Sequence, residues 1–455
     1  MVKTTVAKNI KFIFDIEQDQ LKDELLIALI NKHKNIVNNR FKILQNYFEG
    51  KQNILYREID NGKPNNKNVF NYCRYITDQL TGYFLGKPVS YSSENKDLLD
   101  KLILNYKINN EELENNNLAH KASVKGTSFE LCYIDETAEF KFKALDTDSV
   151  FFILDSSIEN KLKYAIRYYD VEEVMNNKTV SYIEVYSEDK IIKYRIDSEG
   201  TTLESEEEHY FGEVPIIEFA NNRYRTGDFE FVVDVQDSIN KLKNDVANDL
   251  DYYSNCILAL EGVDGTNDEA LKKLENGESR TMLLPEGAKA GFITKNINNN
   301  VVEYYSNNLR EDLHLLASIP DLTKLNITGD MKATAIKSLF FGTEQVVAEK
   351  ERQFKLGLEK RIRLYCKFLE LKSNSAVDWR DIEITFNRNI PVNLSEFGDS
   401  VIKLQGTLPT EMVLEELKKA GLDIDVNRAL QLLKDEKEVY NFDNSIPSVE
   451  GDLVE

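Results

Sequence analysis

The stretch Asp228–Leu260, DFEFVVDVQDSINKLKNDVANDLDYYSNCILAL, decides how the rest of the chain is read. Apolar residues recur at Val232, Val235, Ile239, Leu242, Val246, Leu250, Tyr253, Ile257 and Leu260, every step three or four. That spacing predicts a single helix with one apolar stripe. At 1.5 Å per residue it would be roughly 50 Å long, whereas helices in globular domains average about 11–12 residues. A helix of this length is either the core of a large α protein or a strut packed against a copy of itself.

Downstream, Gly262 to Asn300 is compact. A short helix is expected at Glu269 to Leu274, with strands at Thr281 to Leu284 and Gly291 to Thr294 around Pro285-Glu286-Gly287. A second helix, Val301 to Ser318, stops at Pro320, and Ile319 to Lys332 is a polar loop. Another long helix is expected from Thr334 to Leu371, then a strand at Asp381 to Phe386 and two short helices at Thr410 to Ala420 and Asp425 to Lys434. Asp425 can cap the last helix, and Gly421 suits the position after the one before it.

Upstream, steps of three and four over Asp19 to Gly50 predict two helices or one broken one, and Arg57 to Asn68 is a polar loop. Helical spacing returns at Asn68 to Leu85 and Lys96 to Lys125. From Ser128 to Asp197 the period changes to two, and Tyr182 to Tyr186 with Ile191 to Ile196 reads as a hairpin. An acidic, exposed loop is expected at Glu204 to Glu208, before a strand at Val214 to Phe219. The fold class is therefore α+β, mainly helical.

The chain has 455 residues, enough for two to four structural regions, and no run of eighteen apolar residues that would cross a membrane. The patch in Met1 to Asp15 is too short and polar for a signal peptide, so residence in the cytoplasm is the default expectation. Four cysteines (Cys73, Cys132, Cys256, Cys366) and four histidines (His33, His120, His209, His314) are scattered, with no paired ligand spacing. Neither metal nor redox chemistry is indicated, and no cofactor is expected. A net charge of −21 argues against affinity won by clamping phosphates with a broad basic surface. It leaves room for DNA contact, because an acidic wall lets the polyanion pass without sticking.

Catalytic motifs fail on inspection. Gly86-Lys87 is the nearest approach to a phosphate loop, but Gly82 stands one residue too close and Pro88 replaces the required hydroxyl. Asp245 and Asp249 share a helical face at a spacing of four, which could suit a divalent ion. A solvated helix face explains them equally well. Charge is more informative: Lys332 to Lys372 carries ten Lys/Arg and five Glu, whereas Glu411 to Glu455 carries twelve acidic and five basic residues. Arg352, Lys360, Arg361 and Arg363 crowd the second half of the basic helix among Glu349, Glu351 and Glu359, a pattern that favours pairing with a neighbouring subunit over DNA.

Three stretches resemble the portal proteins of tailed phages that infect Gram-positive hosts. One runs from Asn71-Tyr72-Cys73-Arg74 through Thr81-Gly82-Tyr83-Phe84-Leu85-Gly86-Lys87-Pro88-Val89. Another joins Phe211-Gly212-Glu213-Val214-Pro215 to Gly227-Asp228-Phe229-Glu230 at the head of the long helix. The third pairs Ser318-Ile319-Pro320-Asp321 with Phe340-Phe341-Gly342-Thr343-Glu344-Gln345. Their order and spacing span roughly residues 20–440.

The resemblance implies a ring-forming, non-catalytic conduit for double-stranded DNA at a capsid vertex, bound without sequence preference. It implies a portal-protein fold with an N-terminal arm and wing (1–227), stem helix (228–262), clip (263–300), returning stem helix (301–318) and channel loop (319–333). A channel helix (334–372), a wing return strand (373–404) and a crown with acidic tail (405–455) would follow. Implied partners are 12 or 13 copies of the chain, the terminase large subunit, a head–tail adaptor, and the major capsid and scaffolding proteins, with no membrane. The site would be the virion, reached from host cytoplasm during assembly, in an active phage or a prophage. The channel loop implies Lys324, Asn326, Thr328, Asp330 and Lys332 as DNA-facing groups. The competing reading is a metal-dependent nucleic-acid-processing enzyme using Asp245 and Asp249.

Overall fold

A computed structural model describes residues 12–14, 23–59, 63–173, 178–197, 200–253, 258–261, 281–284, 299–324, 338–373, 377–388, 409–419, 426 and 428–434. The N-terminal helical pattern becomes α1 (Asp23–Ile36) and α2 (Lys42–Phe48), joined without a break by a π-helical turn at Val37–Phe41. A π turn inserts one extra residue per turn, which reconciles an apolar pattern that slips by a position with a continuous backbone. α3 (Tyr72–Leu85) begins four residues later than its apolar spacing suggests, because Asn71 caps it by accepting from the Arg74 amide. α4 (Lys96–Asn109) and α5 (Glu111–Lys125) are separated by Asn110, whose left-handed φ of 51° turns the chain.

Thirteen strands follow the period-two regions among the described residues. β1 (Phe12–Ile13), β5 (Val150–Leu154), β6 (Leu162–Glu173), β7 (Lys178–Tyr186), β8 (Lys190–Asp197) and β9 (Gly200–Glu208) form a six-stranded sheet in that order. β1 pairs with β5 in parallel and the other pairs are antiparallel. β9 contains the acidic Glu204 to Glu208 that the sequence pattern assigned to a loop. It is held as an edge strand by cross-strand pairs, Lys190–Glu206 at 2.7 Å and Lys193–Glu204 at 3.0 Å, and its unshielded carboxylates discourage another strand from adding. A smaller sheet orders β10 (Ile216–Ala220), β3 (Thr127–Ile134) and β4 (Phe140–Ala144). β2 (Ser90–Ser92) pairs with β13 (Glu383–Thr385).

The long periodic segment is shorter as a helix than its stripe implies. A 3-10 turn at Glu230–Val232 leads into α6 (Val233–Tyr253). Leu258–Glu261 is then strand β11, paired in parallel with β12 (Thr281–Leu284). Leu258 and Leu260 stand two apart, so they satisfy a strand as readily as a helix. The helix of Glu269 to Leu274 and the strand of Gly291 to Thr294 lie outside the described residues. α7 (Asn299–Leu316) agrees with the second helix to within two residues, and α8 (Phe341–Ser373) is the second long one. α9 (Thr410–Lys419) matches the first of the two C-terminal helices.

The main core joins α2–α5, β3, β4 and β10 to α8 through Phe84, Phe140, Phe219, Phe354, Leu358 and Ile362. Gly357 is what lets α8 lie on β10, since a Cβ there would sit 2.5 Å from the Phe219 ring. A second core packs α1 on the six-stranded sheet around Leu26, Phe151, Ile166 and Ile183. Each fully buried Phe, Leu or Ile contributes about 1.5–3 kcal/mol, so α8 is fastened along its length. Gly126 fills the other demanding position: its φ is +87°, and a Cβ would meet the Arg225 carbonyl at 2.1 Å.

Candidate functional site

The region that the sequence singles out comprises α6, α7, the segment after Pro320 and α8. α6 packs on α7, and two residues after α7 comes Ser318, a non-glycine residue held at φ 55°. That left-handed residue closes the helix, and the Ile319 amide returns to the His314 carbonyl at 3.1 Å. Beyond it, Arg310 reaches Asp321 at 2.7 Å. The Asp321 carboxylate accepts from both the Thr323 amide (3.1 Å) and its hydroxyl (2.8 Å). Burial works against that carboxylate, but the Thr323 hydrogen bonds, with His314 and Arg310 nearby, outweigh it and hold its pKa below the ordinary value.

The far end of the segment is fixed to the same place. Thr343 on α8 donates to the Ser318 carbonyl at 2.7 Å. Tyr83 donates to Glu344 at 2.9 Å and stacks on Phe340 with ring centroids 5.4 Å apart. Glu344 also receives Arg388 at 3.0 Å. Ile319, Pro320, Phe340 and Thr343 line a cavity of about 240 Å³ with Gly82 and Tyr83. Ile319–Pro320 and Phe340–Glu344 therefore both lie against α3.

α7 carries exposed apolar residues beside its buried side, near its two ends, with Asn308 and Asp312 between them. Leu309, Leu313 and Ala317 are buried, while Val301, Tyr304 and Leu315 are 60%, 69% and 77% exposed. At 100° per residue, Val301, Tyr304, Tyr305, Leu315 and Leu316 fall in an arc of about 120° beside the buried one. Leu250 at the end of α6 is 63% exposed.

Of the loop residues named from sequence, Lys324 ends a 3-10 turn at Leu322–Lys324. Asn326, Thr328, Asp330 and Lys332 lie outside the described residues. The four basic residues on α8 have different fates. The Arg352 side chain is 72% exposed and, among the described residues, pairs with Glu349, one turn away, at 3.3 Å. Arg363 forms a two-pronged pair with Glu213, both contacts at 2.7 Å. Lys360 donates to the Ile216 carbonyl at 3.1 Å, and burial pulls its ammonium down to about 8 against the attraction of Glu213. Arg361 is fully buried: it meets Glu130 at 2.8 and 2.6 Å, donates to Asn115 at 2.9 Å and lies 4.3 Å from the Phe142 ring. Burial works to strip its proton, but the Glu130 charge prevails and raises its pKa. Lys360, Arg361 and Arg363, expected from the charge pattern to pair with a neighbouring subunit, find partners in their own chain.

The proposed metal pair is not assembled as such. Asp245 takes Arg57 at 2.6 Å, and among the described residues no group of three or more His, Cys, Asp or Glu is placed to hold a metal ion. No helix among them is long and apolar enough to cross a membrane. Two polar constellations escaped the sequence reading. Asp228, at the head of the long helical segment, is buried between Ser123, Asn221 and Lys350 of α8. Gln236, Asn240, Asn244 and Asn248 form a row of amides along α6, visible in the sequence as a spacing of four.

Residues 28–441 match the family described as phage portal protein, SPP1 Gp6-like. The portal protein of Clostridium phage phiCD119 is 25% identical over 434 residues, covering 88% of this chain and 93% of that one. The portal protein of Bacillus phage SPP1 is 21% identical over 411 residues, covering 85% and 80%.

Proposed function

The chain belongs to the SPP1 Gp6-like family of phage portal proteins, and from that premise we propose that its copies close into a ring of about twelve or thirteen subunits at the capsid vertex. Double-stranded DNA passes through the ring during packaging and ejection. The observation that carries this reading is the exposed apolar residues of α7, Val301, Tyr304 and Leu315. Among the described residues nothing covers these side chains, whereas a head-to-tail neighbour would remove them from water and close the ring.

In this reading α6 and α7 are the stem pair, and the residues between β11 and α7 are the clip where the terminase large subunit and head–tail adaptor dock. Residues 319–333 are the channel loop, and the residues that flank it, Ser318 and Thr343, are hydrogen-bonded to each other. α8 is the channel helix, the six-stranded sheet belongs to the wing, and the residues from 405 onward form the crown. The chain's net charge of −21 is repeated in every copy, so the lumen lets DNA slide rather than holding it by counterion release. Lys324 and Lys332 are its candidate cations at the constriction. Scaffolding and major capsid proteins meet the outer surface during assembly in the host cytoplasm.

Negative-stain imaging and native mass spectrometry of the purified chain test the ring. Closed particles of about a dozen subunits are expected, and discrete monomers at assembly concentrations would overturn it. Lys324→Glu combined with Lys332→Glu should leave those particles intact while packaging in a reconstituted head falls. Loss of assembly in that variant would make the two lysines interface residues. The metal-dependent enzyme reading finds no support, because the Asp245 carboxylate is held by Arg57.

A further inference from the structure

The amide row on α6 reads a polypeptide backbone. Asn66, Asn68, Phe70 and Tyr72 belong to a segment that runs antiparallel to the helix; all four turn their N–H toward it, and Asn68 and Phe70 their C=O as well. The Tyr72 amide donates to Gln236 at 3.0 Å and the Phe70 carbonyl accepts from Gln236 at 2.6 Å. The Phe70 amide donates to Asn240 at 2.9 Å. Asn244 takes both groups of Asn68, the amide at 2.7 Å and the carbonyl at 2.8 Å. The Asn66 amide donates to Asn248 at 2.7 Å, and the Asn66 carbonyl accepts at 2.8 Å from Arg57, which also grips Asp245. Gln236, Asn240 and Asn244 are completely buried.

The match is geometric. Four residues of α-helix rise about 6 Å, and two residues of extended chain about 6.6–6.8 Å. Side-chain ends on a spacing-of-four row, which also winds slightly around the axis, therefore keep pace with alternate residues of a strand. The fit holds in one register only. Advancing α6 by a single residue turns every amide about 100° away from the segment, so all rungs are lost together. Each would leave a buried carboxamide without a partner, which folded chains avoid.

We propose that residues 66–72, with Arg57, are a register latch for α6: they set its rotation and axial height, and they release as one unit rather than rung by rung. Through the Asn71 cap the latch continues into α3, which packs on α8. The setting of α6 is thereby tied to the clasped ends of the segment after Pro320. The latch stands on its hydrogen bonds alone, and only its use, holding a stem helix against the ring body, rests on the portal reading.

Residue-resolved hydrogen–deuterium exchange on the purified full-length chain tests it. In Asn244→Leu, the amides of residues 66, 68, 70 and 72 should all exchange faster by one common factor, roughly ten- to a hundred-fold, while amides of α4 and α5 keep their protection. Asn244→Asp retains the acceptor for the Asn68 amide and should restore part of the protection at all four positions together. Arg57→Ala touches only the outer end of the segment and should produce the same shared rise, smaller in size. That variant carries the test if Asn244→Leu does not fold. Faster exchange at residue 68 alone, or at residue 66 alone in Arg57→Ala, would mean independent rungs and overturn the latch. Exchange reads the latch in monomers and rings alike, so its failure and the failure of ring formation are separate results.

Discussion

The junction of α8 with β3 and β10, and the hairpin of α6 with α7, solve the same packing problem in opposite ways. At the junction every charge is answered from within the chain: Arg361 by Glu130, Arg363 by Glu213, Lys350 by Asp228. In the hairpin Leu315 and Tyr304 of α7 are covered by nothing among the described residues and stand open. The difference separates what a subunit needs in order to fold from what it needs in order to assemble. Removing one partner of a buried ion pair strands the other, at a cost of about 3–5 kcal/mol. Arg361→Met should therefore lose that much stability in urea denaturation of the monomeric chain. Adding Glu130→Leu should recover most of it, because a well-packed apolar pair avoids the desolvation cost altogether. If Arg361→Met is as stable as the parent, the junction is not the self-sufficient half of the molecule.

The body also has a pH limit. His33 on α1 is buried among Phe12, Phe41 and Phe151, with its Nδ1 2.9 Å from the Tyr168 hydroxyl, and burial lowers its pKa from 6.5 to about 4. Between those values the unfolded chain binds a proton that the folded chain refuses, so stability rises with pH across that window. As pH falls from about 6.5 to 4, His33 should remove up to about 3 kcal/mol. His33→Gln has no proton to bind, so thermal unfolding followed against pH should show a flatter slope for it. An unchanged slope would mean that His33 protonates in place, and that this core yields more easily than its burial suggests.

The two regions also differ in how far the sequence disclosed them. Helices and strands were legible where one period held for several turns, as in α7 and α8, because burial of one face imposes that period. The end of α6 was misplaced because Leu258 and Leu260 fit a strand as well as a helix, and pairing with Thr281–Leu284 decided the matter. β9 was taken for a loop because Glu204 to Glu208 carries no apolar alternation, and Lys190 and Lys193 on the neighbouring strand supply what is missing. Partners distant in sequence stayed hidden for the same reason: nothing in Arg361 specifies Glu130, 231 positions away. The amide row on α6 was present as a spacing of four, but its meaning depended on a segment 176 residues upstream. The clasp between Thr343 and Ser318 falls between these cases, since both residues lie in the stretches that carried the family resemblance. Thr343→Val keeps the shape and removes the donor, and should cost about 1 kcal/mol in denaturation of the monomer. A loss near zero would place the ends of the intervening segment under the control of Tyr83, Glu344 and Arg388 instead.

The smallest expected effect on folding is also the sharpest test of the contrast. Leu315 and Tyr304 are exposed, so replacing both with serine removes no buried contact with the described residues. Surface substitutions of this kind stay within about 0.5 kcal/mol of the parent, and serine has little quarrel with the end of a helix. The monomer of Leu315→Ser with Tyr304→Ser should therefore unfold at nearly the parent's urea concentration. Association should respond quite differently. Each apolar side chain that a neighbour would cover contributes about 1.5–3 kcal/mol when buried, and a closed ring contains every interface as many times as it has subunits. Sedimentation velocity should show the double variant as monomers at concentrations where the parent forms rings. Stable rings in the variant would move the interface to another face of the subunit, and an unstable monomer would show that this side of α7 already serves the fold.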